Sequence, residues 1–397
     1  MSPSYSGNAI SGWSNHSGMV TAHGIDESKI GNRVSKSSWT YWSSLVKEQR
    51  VYGNCCNDEL QLRCTLMAPE KGYPVKIPSK LSFDPWFLTG FTDAEGSFIL
   101  KFNDVTKPQL EFSIALHISD NDLLHRVYTQ FGVGNYRRNE VNKTCVFSVV
   151  ALESILNVII PHFDSYPLQT KKRADYLLFR RAAMLMSNKK ENLNELVSIR
   201  ASMNWGLRKG LKEAYSNIIP VERPEVNYTD MIYNPHWLVG FVSGDGCFFV
   251  GISACETTIT KFQVRLRYIV SQHKRDIKLL EDLRYFFLTK EEKVKGKLCG
   301  SVSKSRNTRN LEVSKFSDIY NRVIPFFKNY PVQGLKYENF IKWVMVGEMM
   351  KQRLHVTHSG LTKIRLIKST MNKVYIKKII KLDDDSFTYE FTERKQD

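Results

Sequence analysis

Apolar positions along this chain follow two periods, and they switch between them in a fixed order. "SFILKFN" (Ser97 to Asn103) alternates, as a strand with one covered face does. Phe98, Leu100 and Phe102 belong on its core side, and Ser97, Ile99, Lys101 and Asn103 on the other. "QLEFSIALHIS" and "KFQVRLRYIVSQ" alternate in the same way, and "CFFVGIS", "CVFSVVA" and "NLEVSKF" are further strands. "DNDLLHRVYTQFG" and "DIKLLEDLRYFF" instead space their apolar residues by three and four, which predicts amphipathic helices. Two more helices are announced by Asp84-Pro85 and Asn234-Pro235, each an N-cap residue followed by proline in the first turn. These end at Gly96 and Gly246 and lead directly into strands.

The order repeats. "DPWFLTGFTDAEGSFIL" from Asp84 is answered by "NPHWLVGFVSGDGCFFV" from Asn234, 150 positions later. "NVIIPHFDSYPLQTKK" from Asn157 is answered by "NRVIPFFKNYPVQGLK" from Asn321, and "IRASMN" from Ile199 by "IKSTMN" from Ile367. The growing offset places longer loops in the second copy, among them the basic, Ser-rich "KVKGKLCGSVSKSRNTR" from Lys293. A repeat of well over a hundred residues predicts two similar α+β halves about a pseudo-twofold axis. The expected boundaries are 84–213 for the first half, 214–233 for a proline-bearing linker, 234–376 for the second half and 377–397 for a C-terminal tail. Residues 1–83 are rich in Ser, Gly and Asn up to Ser44, and predict a loosely ordered extension.

Composition narrows the partners. The formal net charge is +17 over 397 residues, with a sequence pI near 9.4. So basic a chain points to an anionic partner, nucleic acid before a membrane surface, because no long apolar run or basic amphipathic helix is present. The seven cysteines form no CxxC pair and are odd in number, so they read as reduced thiols. The sequons at Asn15, Asn142 and Asn227 follow no signal peptide and read as chance matches.

Two glycines and two acids then stand out in the repeated helices. Gly90 and Gly240 occupy equivalent mid-helix positions, at a cost of about 1 kcal/mol each relative to alanine. Glycine there predicts that the two helices pack on each other with backbones close. Glu95 and Asp245 then fall at the same end of the helix pair. Two carboxylates at negative helix ends resist ionisation unless a cation joins them. Oxygen donors beside an anionic polymer favour Mg²⁺ or another divalent ion, and such an ion beside a phosphodiester supports hydrolysis.

"FLTGFTDAEG" and "WLVGFVSGDG" resemble the two signature motifs of the LAGLIDADG homing endonucleases, specifically the single-chain, double-motif type encoded in fungal mitochondrial introns. The resemblance covers roughly 84 to 376, including "GLRKGLKEAYSNIIPVERP" near the linker. It implies two αββαββα halves forming an antiparallel β saddle beneath two packed central helices. It implies a monomer that cuts both DNA strands across the minor groove, with Mg²⁺ held by Glu95 and Asp245. Gln272 matches a position that orients water near the metals, and its first-half counterpart is Leu116. Lys315 matches a basic residue that stabilises the phosphate transition state, with Ala151 as its counterpart. The earlier motif acid is Asp93 in one copy and Ser243 in the other, a departure that implies a cap or interface role for Asp93. The equivalent His117 and His273 read as structural partners at strand ends rather than ligands. Mitochondrial matrix residence follows from the resemblance alone.

Strand alternation supplies the expected DNA surface. It comprises Ser97, Ile99, Lys101 and Asn103, then Cys247, Phe249 and Ser253, then Gln263, Arg265 and Arg267. Arg137, Arg138, Lys304, Arg306 and Arg309 are expected in hairpin tips reaching phosphates or bases. The partner is then double-stranded DNA. The alternative is an intron-encoded RNA maturase that binds its host intron, with or without cleavage; retention of both acids favours cleavage.

Overall fold

In the computed structural model, residues 82–188, 192–204, 206–226 and 234–371 and two later strands are described. Residues 1–81 of the expected N-terminal extension lie outside the described residues, as do 227–233 of the linker, while Phe83 is buried and stacks on Phe87, so it belongs to the first half. The first half begins with helix α1 (Pro85–Glu95), then strands β1 (Gly96–Asp104) and β2 (Lys107–His117), helix α2 (Asn121–Phe131) and strands β3 (Asn135–Asn139) and β4 (Thr144–Val149). An irregular helical run over 152–165 follows, then α3 (Lys172–Ser187), α4 (Leu193–Ser202) and the short α5 (Lys209–Ala214). The second half repeats this with α6 (Pro235–Asp245), β5 (Gly246–Ala254), β6 (Phe262–His273), α7 (Ile277–Leu283), β7 (Ser301–Ser305) and β8 (Thr308–Val313). A short helix α8 (Lys290–Val294) is inserted before β7, and a helical run over 316–329, α9 (Leu335–Lys351) and α10 (His358–Ser369) complete the half.

Each half carries one four-stranded antiparallel sheet, ordered β1-β2-β4-β3 and β5-β6-β8-β7. The registers match: Gly96 pairs with Ile114 and Gly246 with Val270. Helices cover one face of each sheet, where Phe98, Leu100, Phe112 and Phe147 in one half and Phe248, Val250, Tyr268 and Leu311 in the other are buried. Two further strands, β9 (Tyr375–Lys381) and β10 (Phe387–Glu393), pair as a separate antiparallel hairpin. The expected boundary at 376 therefore cuts through β9.

Helices α1 and α6 start as their sequence predicts: Asp84 and Asn234 side chains accept from the backbone N–H two residues on, with proline at the first position. They pack directly against each other. A Cβ added at Gly90 would lie 1.9 Å from the Trp237 carbonyl oxygen, and one at Gly240 would lie 2.1 Å from that of Phe87. Glycine is therefore what lets the two backbones touch. At the other end, Gly96 and Gly246 have extended backbone, not the left-handed form of a usual helix stop. Their value is space, since a Cβ on Gly96 would meet Thr92 Cγ2 at 2.4 Å and one on Gly246 would meet Val242 Cγ1 at the same distance.

The halves also cap each other's helices. Asp276 of the second half accepts from Lys171 N at the start of α3 (2.7 Å), and Asp120 of the first half accepts from Leu335 N at the start of α9 (3.0 Å). Asp93 is buried and accepts from Gln169 N, Thr170 N, Thr170 Oγ1 and, across the halves, Trp237 Nε1. It caps the segment entering α3 and pins the interface, the kind of role its sequence position implied. The Ser243 hydroxyl, its equivalent, accepts from Gln333 N at 2.9 Å. His117 and His273 each accept from a backbone N–H two residues on, closing short turns at strand ends.

His162, in the run over 152–165, lies between the Phe131, Phe163 and Tyr166 rings, with Nε2 3.3 Å from Thr89 Oγ1. Burial lowers its pKa to about 4. The unfolded chain then binds a proton that the folded one refuses between pH 6.5 and about 4. Stability should fall with decreasing pH over that window, by about 2 kcal/mol at pH 5 from this residue. Urea denaturation of the protein and of His162→Phe at pH 7 and pH 5 checks this: the variant should lose markedly less stability on acidification.

Candidate active site and nucleic-acid face

The close helix pair brings the two acids together. Each is the last residue of its helix, so both stand at the same end of the pair, above the start of β1 and β5. A Cβ placed on Gly244, next to Asp245, would meet Glu95 Cγ at 3.1 Å and Oε1 at 3.5 Å, so the Glu95 side chain lies against the other helix's end. Gln272, at the end of β6, donates from Nε2 to Asp245 Oδ2 at 2.5 Å. The equivalent position on β2 is the buried Leu116, as the common register requires.

Two lysines that sequence reasoning passed over complete the site. Lys172 opens α3 and donates to the Thr92 carbonyl at 2.9 Å; Lys336, in the first turn of α9, donates to the carbonyls of Gly244 (3.0 Å) and Gly246 (2.6 Å). Both neutralise the carbonyl ends of the acid-bearing helices. Burial lowers the Lys172 pKa, while Asp93, Asp245 and Glu95 oppose the shift. A lysine in a helix's first turn is electrostatically disfavoured, and here it recurs at equivalent positions in "LQTKK" and "VQGLK". That pairing was the signal available in the sequence.

Lys315, expected at the phosphate, lies elsewhere. It is exposed at the N-cap of the run over 316–329 and lines a cleft with Phe287, Leu288 and Arg322. Strand β8 meets Gln272 at Arg309, six residues from Lys315, roughly 20 Å along an extended chain. Ala151, its counterpart, is likewise the N-cap of the run over 152–165.

A divalent ion fits the donor set. Glu95 and Asp245 supply hard carboxylate oxygens, and among the described residues no group of three or more His, Cys, Asp and Glu forms a closed metal cage. An ion held by two carboxylates must take further ligands from water or phosphate, as magnesium-type sites do.

The uncovered sheet faces carry the expected outward row. Ser97, Ile99 and Lys101 are partly exposed and Asn103 exposed on β1; Gln263, Arg265 and Arg267 are accessible on β6. Arg267 stacks over Phe249 (4.5 Å) and faces Glu312 at 3.6 Å; Lys101 pairs with Glu111 at 2.8 Å. Ser253 is exposed, whereas Cys247 shares this face but is buried. The hairpin-tip expectation holds for Arg306 alone, whose backbone has positive φ in the β7–β8 turn. Arg137 and Arg138 belong to β3, Lys304 to β7 and Arg309 to β8. Cross-strand pairing puts Arg138, Lys304 and Arg309 on the helix side of their sheets, level with Cys145 and Leu311, and only Arg137 on the open face. β3 and β7 are polar edge strands without apolar alternation, so nothing marked them as strands. The same parity adds Gln109, Glu111, Asn310 and Ser303 to the open faces.

This chain is similar to known proteins in sequence and in fold. A family model described as LAGLIDADG endonuclease matches residues 88–183 and 238–346. "Probable intron-encoded endonuclease 3" of Neurospora crassa is 35% identical over 92% of this chain and 74% of its own length. "Probable intron-encoded endonuclease 2" of the same organism is 34% identical over 75% of this chain and 68% of its own. Among solved structures, the I-SmaMI LAGLIDADG homing endonuclease bound to cleaved DNA superposes with a TM-score of 0.68 at 35% identity, covering 74% of this chain and 97% of that one. I-SmaMI has also been solved on uncleaved DNA in the presence of calcium ions, with the same TM-score.

Proposed function

This chain belongs to the LAGLIDADG endonuclease family, and on that premise we propose that it is a site-specific endonuclease hydrolysing both strands of a long DNA site, Mg²⁺ being its cofactor. The observation that carries this reading is the meeting of Glu95 and Asp245 at one end of the α1–α6 pair, in a fold whose two sheets each leave one face uncovered. Glu95 and Asp245 would hold the divalent cation, which would supply Lewis-acid charge at the scissile phosphate and make water more acidic. Each half contributes one of these acids, so each would serve one of the two strands. Gln272 holds Asp245 in one orientation. Lys172 and Lys336 set positive charge beside both acids, where charge builds on the phosphate oxygens during displacement. The open strand faces, with Lys101, Arg137, Arg265, Arg267 and their polar neighbours, bind and read the duplex.

Residence in mitochondria is supported by 26% identity to "Uncharacterized mitochondrial protein RF1" of Saccharomyces cerevisiae. Among the described residues no helix is long and apolar enough to cross a membrane. The test is incubation of a library of intron-free mitochondrial DNA with the protein and Mg²⁺, with the ends sequenced. One dominant cut, lost on chelation, is expected; intact DNA under all divalent ions would overturn the reading.

A further inference from the structure

We infer that the two sheets read mirror-related base pairs with opposite polarity: Glu111, together with Lys101, takes a cytosine and its guanine partner, whereas Arg267 takes a guanine at the equivalent place in the other half of the target. The inference rests on the endonuclease reading above and concerns which bases are bound, not how they are cut. The strand registers fix the equivalence. Counting outward from Gly96 and Gly246, Ile99 is opposed by Glu111 and Phe249 by Arg267, at the same rung of each open face. Two halves of one fold thus hold a carboxylate and a guanidinium at one position. A carboxylate there is out of keeping with a chain of net charge +17, because it repels the phosphates of a polyanionic partner. What it can offer in return is an acceptor for a base edge.

Neither charge is loose. Lys101 Nζ donates to Glu111 Oε2 at 2.8 Å, and the two side chains are 24% and 21% exposed. They are diagonal neighbours across β1 and β2, since Lys101 itself is opposed by Gln109. On the other sheet the Arg267 guanidinium lies 4.5 Å over the Phe249 ring and 3.6 Å from Glu312 on β8. A guanidinium oriented by a ring beneath it presents two parallel donors, which match guanine O6 and N7. A carboxylate accepts from cytosine N4, and the ammonium fixed beside it then faces O6 and N7 of the guanine paired with that cytosine. An adenine–thymine pair also offers the carboxylate an amino group, but it gives the ammonium one acceptor and a methyl group in place of two acceptors. The pseudo-twofold carries Glu111 onto Arg267, so the bases they read lie equally far from the centre and on opposite strands. Along its own strand one is cytosine and the other guanine, and the target departs from a palindrome at this position.

The experiment uses the cut site recovered from the library, with each base pair of both half-sites replaced in turn, and measures competition for binding in Ca²⁺ by fluorescence anisotropy. The wild type should prefer cytosine at one position and guanine at its mirror position, each by about tenfold over the other bases. Glu111→Gln should lose the cytosine preference at that position alone. It should also bind every sequence more tightly, with a salt slope steeper by about one, because Lys101 is released to a phosphate. Lys101→Met should relax the same position without that gain, and Arg267→Met should relax the mirror position. Glu111→Arg should turn the preference to guanine and make the half-sites alike at this pair. A loss spread evenly over all sequences in Glu111→Gln and Lys101→Met, or one and the same base preferred at both mirror positions by the wild type, would overturn the proposal and leave the endonuclease reading standing. Absence of any cut site in the library would overturn both.

Discussion

Glu95→Gln and Asp245→Asn should each lower double-strand cleavage at least about 10³-fold while leaving DNA binding intact or tighter. Both changes are close to isosteric and remove one negative charge from the mouth of a site meant for a polyanion, so repulsion of the backbone diminishes. What is lost is the hard oxygen donor that faces the other helix. Lys172 and Lys336 each hold backbone carbonyls, which keeps them in place when a carboxylate is neutralised. Cleavage assays and fluorescence anisotropy on the same preparations separate the two effects. A variant that stopped cutting because it no longer bound DNA, or no longer folded, would show the acids to be helix ends and nothing more.

Gly90→Ala and Gly240→Ala should each be strongly destabilising, at about 3 kcal/mol or more. Methyl groups there would sit 1.9 and 2.1 Å from carbonyl oxygens of the facing backbone, which has no rotamer with which to yield. The helices must separate, and the two acids separate with them, so activity should fall beyond what stability alone predicts. Thermal unfolding should drop by roughly 10 °C. Gly210, in α5, provides the control: a Cβ there meets nothing within 4 Å, and Gly210→Ala should be neutral or slightly stabilising. Equal effects at Gly90 and Gly210 would mean that the close helix contact does not exist in solution.

The helices and the long strands were legible because burial writes a period into the sequence. Phe98, Leu100 and Phe102 alternate with Ile99, Lys101 and Asn103 because one face of β1 is covered and the other is not. β3 and β7 escaped because "NYRRN" and "SVSKS" lie at sheet edges with both faces largely wet, so no alternation arises. Their arginines and lysine looked like turn residues for that reason. The inserted α8 has no buried residue, and only its Thr289–Glu292 capping box marks it in the sequence.

By itself, then, the sequence determined the two halves, their order, the central helix pair and the identity of the two acids. A repeat records each of these twice, and the glycines carry a steric demand that no other residue meets. Apart from Gln272, the groups that surround the acids were decided only by tertiary structure. Lys172 and Lys336 reach the site because each half's aspartate caps the other half's helix, a contact between residues more than 100 positions apart. Lys315 misses it because a residue six positions further along a strand is carried about 20 Å away. Neither relation has a local period: the repeat marks the two lysines as equivalent, but where they reach follows from how two sheets and four helix ends meet around one axis.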